Sequence, residues 1–130
     1  PASPPSPARL SGAFRVVVHT VEGHVKRGLL EDADLGEPAI TLAAPAGAPS
    51  ETIPTEQVKT IFFMLAPGER PPLAEGQRVR VTFRDGRQVA GFSPDYREGA
   101  AGFFMIPADT RTNTGRIWVY ASAVKTVSVG

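Results

Sequence analysis

The chain has 130 residues, 42% of them hydrophobic and 21% charged, with fourteen basic and thirteen acidic side chains, a net charge of +1 and no cysteine. That size matches one domain of roughly 100–150 residues or two very small ones, and the absence of cysteine excludes a disulfide framework, a zinc ribbon and a thiol nucleophile. The balanced charge gives no global field for polyanions, and the longest apolar run, Thr60–Leu65, falls far short of the roughly 20 residues of a membrane-spanning helix.

Residues 1–13 open on Pro-Ala-Ser-Pro-Pro-Ser-Pro-Ala and read as a disordered, Pro-rich linker. The first residue is Pro1, so the expectation is a piece of a larger protein. Val16-Val17-Val18-His19-Thr20-Val21-Glu22-Gly23 reads as a strand running into a turn, with Gly28 inside the returning strand. Further strands are expected over Glu37–Ala43, Glu51–Pro54 and Val58–Met64, and residues 66–76 form a Pro/Gly connector. Beyond it Val79, Val81 and Phe83 alternate with Arg80, Thr82 and Arg84, and Asp85-Gly86 supplies the positive φ of a tight hairpin before Val89 begins the return. Ala101–Ile106, Arg116–Tyr120 and Val124–Val129 complete the set. No stretch carries a helical period.

The two sets are copies in pattern. Gly23 answers to Gly86, Gly28 to Gly91, Asp32 to Asp95, Gly36 to Gly99, and Ile40-Thr41-Leu42 to Phe103-Phe104-Met105, all 63 residues apart. Val58-Lys59-Thr60-Ile61 then meets Val124-Lys125-Thr126-Val127 at an offset of 66, which places about three extra residues in a loop of the second copy. One pair breaks the phase: Val25 and Val89 differ by one position. The expected fold is all-β, two tandem five-stranded barrels over 14–65 and 77–130, related by duplication and packed together.

The order of strands, the Asp85-Gly86 turn, the bend glycine five residues later and the short apolar final strand resemble an SH3-like barrel of the Sm-like kind. The second copy, through Val81–Gly86, Gly91–Tyr96, Gly102–Asp109 and Asn113–Val119, is also similar to an uncharacterised bacterial domain found in multidomain signalling and motility proteins. The resemblance implies a domain type, a bacterial source and no known ligand. An Sm-like relative would suggest RNA first, through an Asp-containing loop with a nearby Asn and an Arg-Gly pair before the last strand. Asp32 and Asp95 lie near the first position without the Asn, and Val58-Lys59-Thr60 and Val124-Lys125-Thr126 replace the second element. Arg84, Arg87, Tyr96 and Arg97 are the sparse candidates for a stacking platform. The Asp/Asn-x-Ser-x-x-Gly element of PilZ-type cyclic-dinucleotide receptors is missing.

No catalytic constellation stands out. His19 lies on a strand and His24 follows a turn, neither with a nucleophile at a recognisable spacing, and Glu31-Asp32-Ala33-Asp34 reads as a solvated turn. Glu22, Asp32 and Asp34 do not make a metal-ligand pattern with the histidines, so no metal and no cofactor are expected. Arg111, Asn113, Thr114 and Arg116 gather donors in one loop that suits an anion, against the alternative of a loop satisfying its own backbone.

Ile61-Phe62-Phe63-Met64-Leu65 and Phe103-Phe104-Met105-Ile106 are apolar on both strand faces, yet a small barrel has one interior face. Phe62, Phe63, Met64, Phe103 and Phe104 are therefore candidates for partner contact, the partner being the sister barrel or another protein. The reading is a non-catalytic, cytoplasmic protein-interaction or regulatory module, scaffold-like, with nucleotide, anion or nucleic-acid binding through the Arg-rich loops of the second copy as the alternative.

Overall fold

A computed structural model describes residues 10, 12–44, 49–70, 76–94, 96–97, 99, 101–108 and 113–130. Most of the 1–13 linker and residues 71–75 of the connector lie outside them.

Alternation of buried and exposed side chains sets the strands: Ala13–Thr20 (β1), Val25–Glu31 (β2), Ala39–Leu42 (β3), Glu51–Pro54 (β4), Val58–Met64 (β5), Gln77–Phe83 (β6), Gln88–Ser93 (β7), Gly102–Pro107 (β8), Thr114–Tyr120 (β9) and Val124–Val129 (β10). The chain is all-β, as its pattern predicted. Two single turns of 3-10 helix, Thr55–Gln57 and Ala121–Ala123, were not anticipated, because three residues are too few to carry a period. Among the described residues no helix is long and apolar enough to cross a membrane.

Eight strands form one antiparallel sheet in the order β10-β6-β7-β8-β9-β5-β1-β2, while β3 and β4 pair separately and meet β2 through a Leu29–Ala43 bridge. Pairings within the first half recur in the second at the offsets read from the sequence. Val16 sits opposite Gly28 and Val79 opposite Gly91; Ile40 faces Ile53 and Phe103 faces Val119; Val18 faces Ile61 and Val81 faces Val127. The turns repeat as well. Val21 donates its N–H to the Gln57 carbonyl, and Arg84 donates to that of Ala123.

Gly28 and Gly91 are required by close approach. A Cβ on Gly28 would lie 2.5 Å from the Ala43 carbonyl oxygen, and one on Gly91 would run into that of Ile106. The returning strand can cross the next one closely only without a side chain there.

The halves join by main-chain pairing, where the sequence suggested packing of one barrel on another. β5 pairs with β9, with Ile61 opposite Trp118, Phe62 opposite Ile117 and Phe63 opposite Arg116. Both strands are consequently covered on two faces. Ile61, Phe63, Trp118 and Tyr120 enter a first core with Val16, Val18, Leu30, Ile40, Leu42 and Ile53. Ile117 and Val119 enter a second core with Val79, Val81, Phe83, Phe103 and Met105, and Phe62 packs against it. Each such side chain contributes about 1.5–3 kcal/mol on burial, so this shared wall couples the halves energetically.

Candidate functional site

The side of β1 that faces away from the first core carries Arg15, Val17 and His19, because Val16 and Val18 take the inward positions at 1% and 0% exposure. β2 adds Val25, Arg27 and Leu29 on the same side, through the register Val25–His19, Arg27–Val17 and Leu29–Arg15. From β5 come Phe62, directly opposite Val17, and Met64. Val25 and Leu29 are 51% and 38% exposed, so two apolar side chains are open to solvent on either side of Arg27, with Arg15 opposite Leu29. It borders a cleft of about 510 Å³ whose lining includes Arg15, Val17, Arg27, Leu29, Met64 and Leu65, a volume in the range of small-ligand sites.

Electrostatics extend this face across the junction of the halves. The His19 ring lies 4.7 Å from the Phe62 ring. Burial, then the charges of Lys59, Arg27 and Arg87, hold the imidazole below its ordinary value, so four cationic or basic groups converge there from β1, β2, β5 and the turn after β6. Lys59 is itself paired with Asp85 at 3.0 Å and stands 4.5 Å over the Phe83 ring. The Asp85 carboxyl, accepting from the Arg87 N–H and from Lys59, is held below the usual carboxylate value. Arg15 and Arg27 have no ion-pair partner among the described residues.

Of the candidates read from the sequence, Phe62 and Met64 reach this face and the others fall elsewhere. Phe63 and Phe103 are 4% and 2% exposed, which puts them inside the two cores with no face left for a partner. Phe62 and Phe104 are half-buried against the second and first cores; Met64 alone of the five lines the cleft. The runs are apolar on both faces because each strand closes two cores.

Of the anion candidates, Arg111 lies outside the described residues. Asn113 is exposed, and its carbonyl accepts the Leu65 N–H at 2.6 Å; Thr114 is half-buried. The Arg116 guanidinium rests over three rings, 4.5 Å from the centroid of Phe104, 5.0 Å from Phe63 and 5.6 Å from Phe14, an arrangement that clamps β9 to the aromatic end of the first core. Among the stacking candidates, Tyr96 packs edge-on against Phe103 at 4.9 Å and Arg84 donates to the Ser122 carbonyl; Asp95, read with Asp32 as near the Sm-type loop position, lies outside the described residues. The acidic run serves nearby backbone: Asp32 accepts the N–H of Gly12, which precedes β1, and Asp34 that of Gly36 in its own loop. His24 is exposed, and its N–H donates to the Thr20 hydroxyl.

Sequence reasoning passed over the β1–β2 face, although one signal marked it. Val25 and Val89 are out of phase because they serve opposite faces. Val89 turns inward onto the second core, whereas Val25 turns outward, and the inward position beside it holds Lys26, ion-paired with Glu51 at 2.6 Å.

No curated protein and no solved structure matches the chain. A family model spans both halves and the face just described, over residues 12–130, and on that match the chain belongs to DUF6982, a family of unknown function.

Proposed function

We propose that the chain is a non-catalytic interaction module of two small five-stranded barrels, arisen by duplication and fused through β5 and β9, which holds a protein partner on the outer face of β1 and β2. The barrel and duplication reading is supported by strand pairings that recur at 63 and 66 residues through both halves.

One observation carries the functional reading. Exposed Val25 and Leu29 stand on the strand face opposite a filled core, Leu29 lining a cleft there, and large apolar side chains left open on a small domain are a feature of docking surfaces. The alternative, an anionic nucleic-acid ligand on the loops of the second half, loses ground because Arg116 is engaged by aromatic faces.

Affinity capture with the whole chain and with Leu29→Asp, read by mass spectrometry for proteins and by absorbance for nucleic acid, tests this. A protein retained by the wild type and lost from the variant is the expected result. Nucleic acid alone, or proteins retained equally by both, overturns it.

A further inference from the structure

Resting on that reading of the β1–β2 face, we infer that its ligand is an extended acidic peptide that adds as a strand beside β2, placing a carboxylate against Arg27 and Arg15 and an apolar side chain against Val25. The inference rests on backbone geometry, on charge and on shape.

The Leu29 N–H donates to the Ala43 carbonyl at 2.9 Å, and the Ala43 N–H returns the bond at 2.8 Å. Leu29 therefore points its backbone groups away from β1. In an antiparallel pair that direction recurs at every second residue, so Arg27 and Val25 also aim N–H and C=O outward. Among the described residues neither outward set meets a backbone partner. The second half differs at this point: Ala90, the counterpart of Arg27, accepts the N–H of Ala108 at 3.1 Å. Among the described residues Arg27 meets no such donor. Strand addition satisfies such an edge with donors and acceptors that alternate along a backbone. A peptide supplies both, whereas a phosphodiester chain carries no donors and a lone carboxylate reaches only one group.

Charge selects the peptide. Arg15 and Arg27 have no carboxylate partner among the described residues, and Lys59 and Arg87 add to the cationic field around His19. Asp85, the carboxylate near this junction, is taken up by Lys59. Shape sets the spacing. Side chains on one face of an added strand fall at every second residue, so an acid opposite Arg27 puts an apolar residue opposite Val25 two positions away. The expected pattern is acid-x-apolar, with the acid at the rim of the cleft that Arg15, Arg27 and Leu29 line and the apolar residue beyond it at Val25.

The test is selection of a phage-displayed random dodecapeptide library on the whole chain, followed by fluorescence-anisotropy titration of the selected peptides and of a 20-residue oligothymidylate. Three proteins are compared: wild type, Arg15→Glu with Arg27→Glu, and Leu29→Asp, each shown by circular dichroism and melting to keep the wild-type fold. The inference expects enrichment of acid-x-apolar peptides, binding weakened at least tenfold by the arginine reversal and by Leu29→Asp, and slowed amide exchange at Val25 and Arg27 in the bound state. Peptides lost with Leu29→Asp but insensitive to the arginine reversal would leave the docking face standing and overturn the acidic peptide. Selected peptides unaffected by either variant, or no enrichment at all, would overturn both. Binding of the oligothymidylate alone would replace the peptide with a nucleic acid. Unchanged exchange at Arg27 in a peptide complex that passes the other tests would overturn strand addition.

Discussion

The phenol of Tyr120 donates a buried 2.8 Å hydrogen bond to the carbonyl of Leu35, 85 residues earlier in the chain. Tyr120 ends β9, whose other face belongs to the second core, and Leu35 is a fully buried member of the first. Burial drives the phenol pKa upward, so the group remains a neutral donor throughout the ordinary pH range. One bond thus spans the junction that β5 and β9 build.

Tyr120→Phe keeps the ring and removes that donor, leaving the Leu35 carbonyl without it in a dry environment. The expected loss is about 1–2 kcal/mol, the cost of one unsatisfied buried polar group. Urea titration followed by circular dichroism measures it, and an unchanged midpoint would show the bond to be neutral.

Phe63→Ala should cost about 3–5 kcal/mol through lost burial and the cavity left behind. Phe63 meets Phe14 at 5.7 Å and Phe104 at 5.8 Å, and Arg116 covers it, so the loss reaches side chains from both halves. The shared wall predicts one cooperative transition in the wild type and in the variant. Two separated transitions, only one of them moved by the substitution, would contradict a coupled core.

Gly28→Ala and Gly91→Ala should each destabilise by about 1–3 kcal/mol or more, the usual scale of overpacking. In both cases the added methyl meets a carbonyl oxygen of the crossing strand, Ala43 for the first and Ile106 for the second. Thermal melts of the two variants check this. A large loss at one site with none at the other would break the structural equivalence of the halves at their bends.

Stability should fall as pH drops below the ordinary 6.5 of a histidine. Burial, Lys59, Arg27 and Arg87 depress the His19 value in the folded chain. The unfolded chain therefore takes up a proton near 6.5 while the folded one still refuses it. The stabilisation is complete above that pH and is lost as pH falls through the lower folded value. Around the ring stand Phe62 and Thr60 of β5, Val25 and Arg27 of β2, Lys59 with its partner Asp85, and Arg87. Urea midpoints at pH 7.5 and 5.5 measure the slope, which His19→Gln should reduce; the same slope in both proteins would assign it to other groups.

Local features were legible from residues alone. Asp85-Gly86 and Val21-Glu22-Gly23 mark turns because only glycine accepts the φ of 88° and 92° found at Gly86 and Gly23 without strain. Alternating valines mark inward faces, and repeated spacing marked corresponding pairings, since each of these is written within a few residues of the chain. Tertiary structure alone decided what the doubly apolar strands Val58–Met64 and Gly102–Pro107 face. A continuous apolar run states that both sides are buried without naming the neighbours, and one neighbour of β5 proved to be β9, where Trp118 stands opposite Ile61, 57 residues earlier. Arg116 shows the same limit, since its place among donor-rich residues suggested an anion until the fold brought Phe14, Phe63 and Phe104 beneath it. Arg15 and Arg27 are the converse case. Twelve residues separate them in the chain, and they reach one face because the β1–β2 register sets Leu29 beside Arg15 and Val17 beside Arg27, a relation that hydrogen bonding between strands creates and that neither strand carries alone.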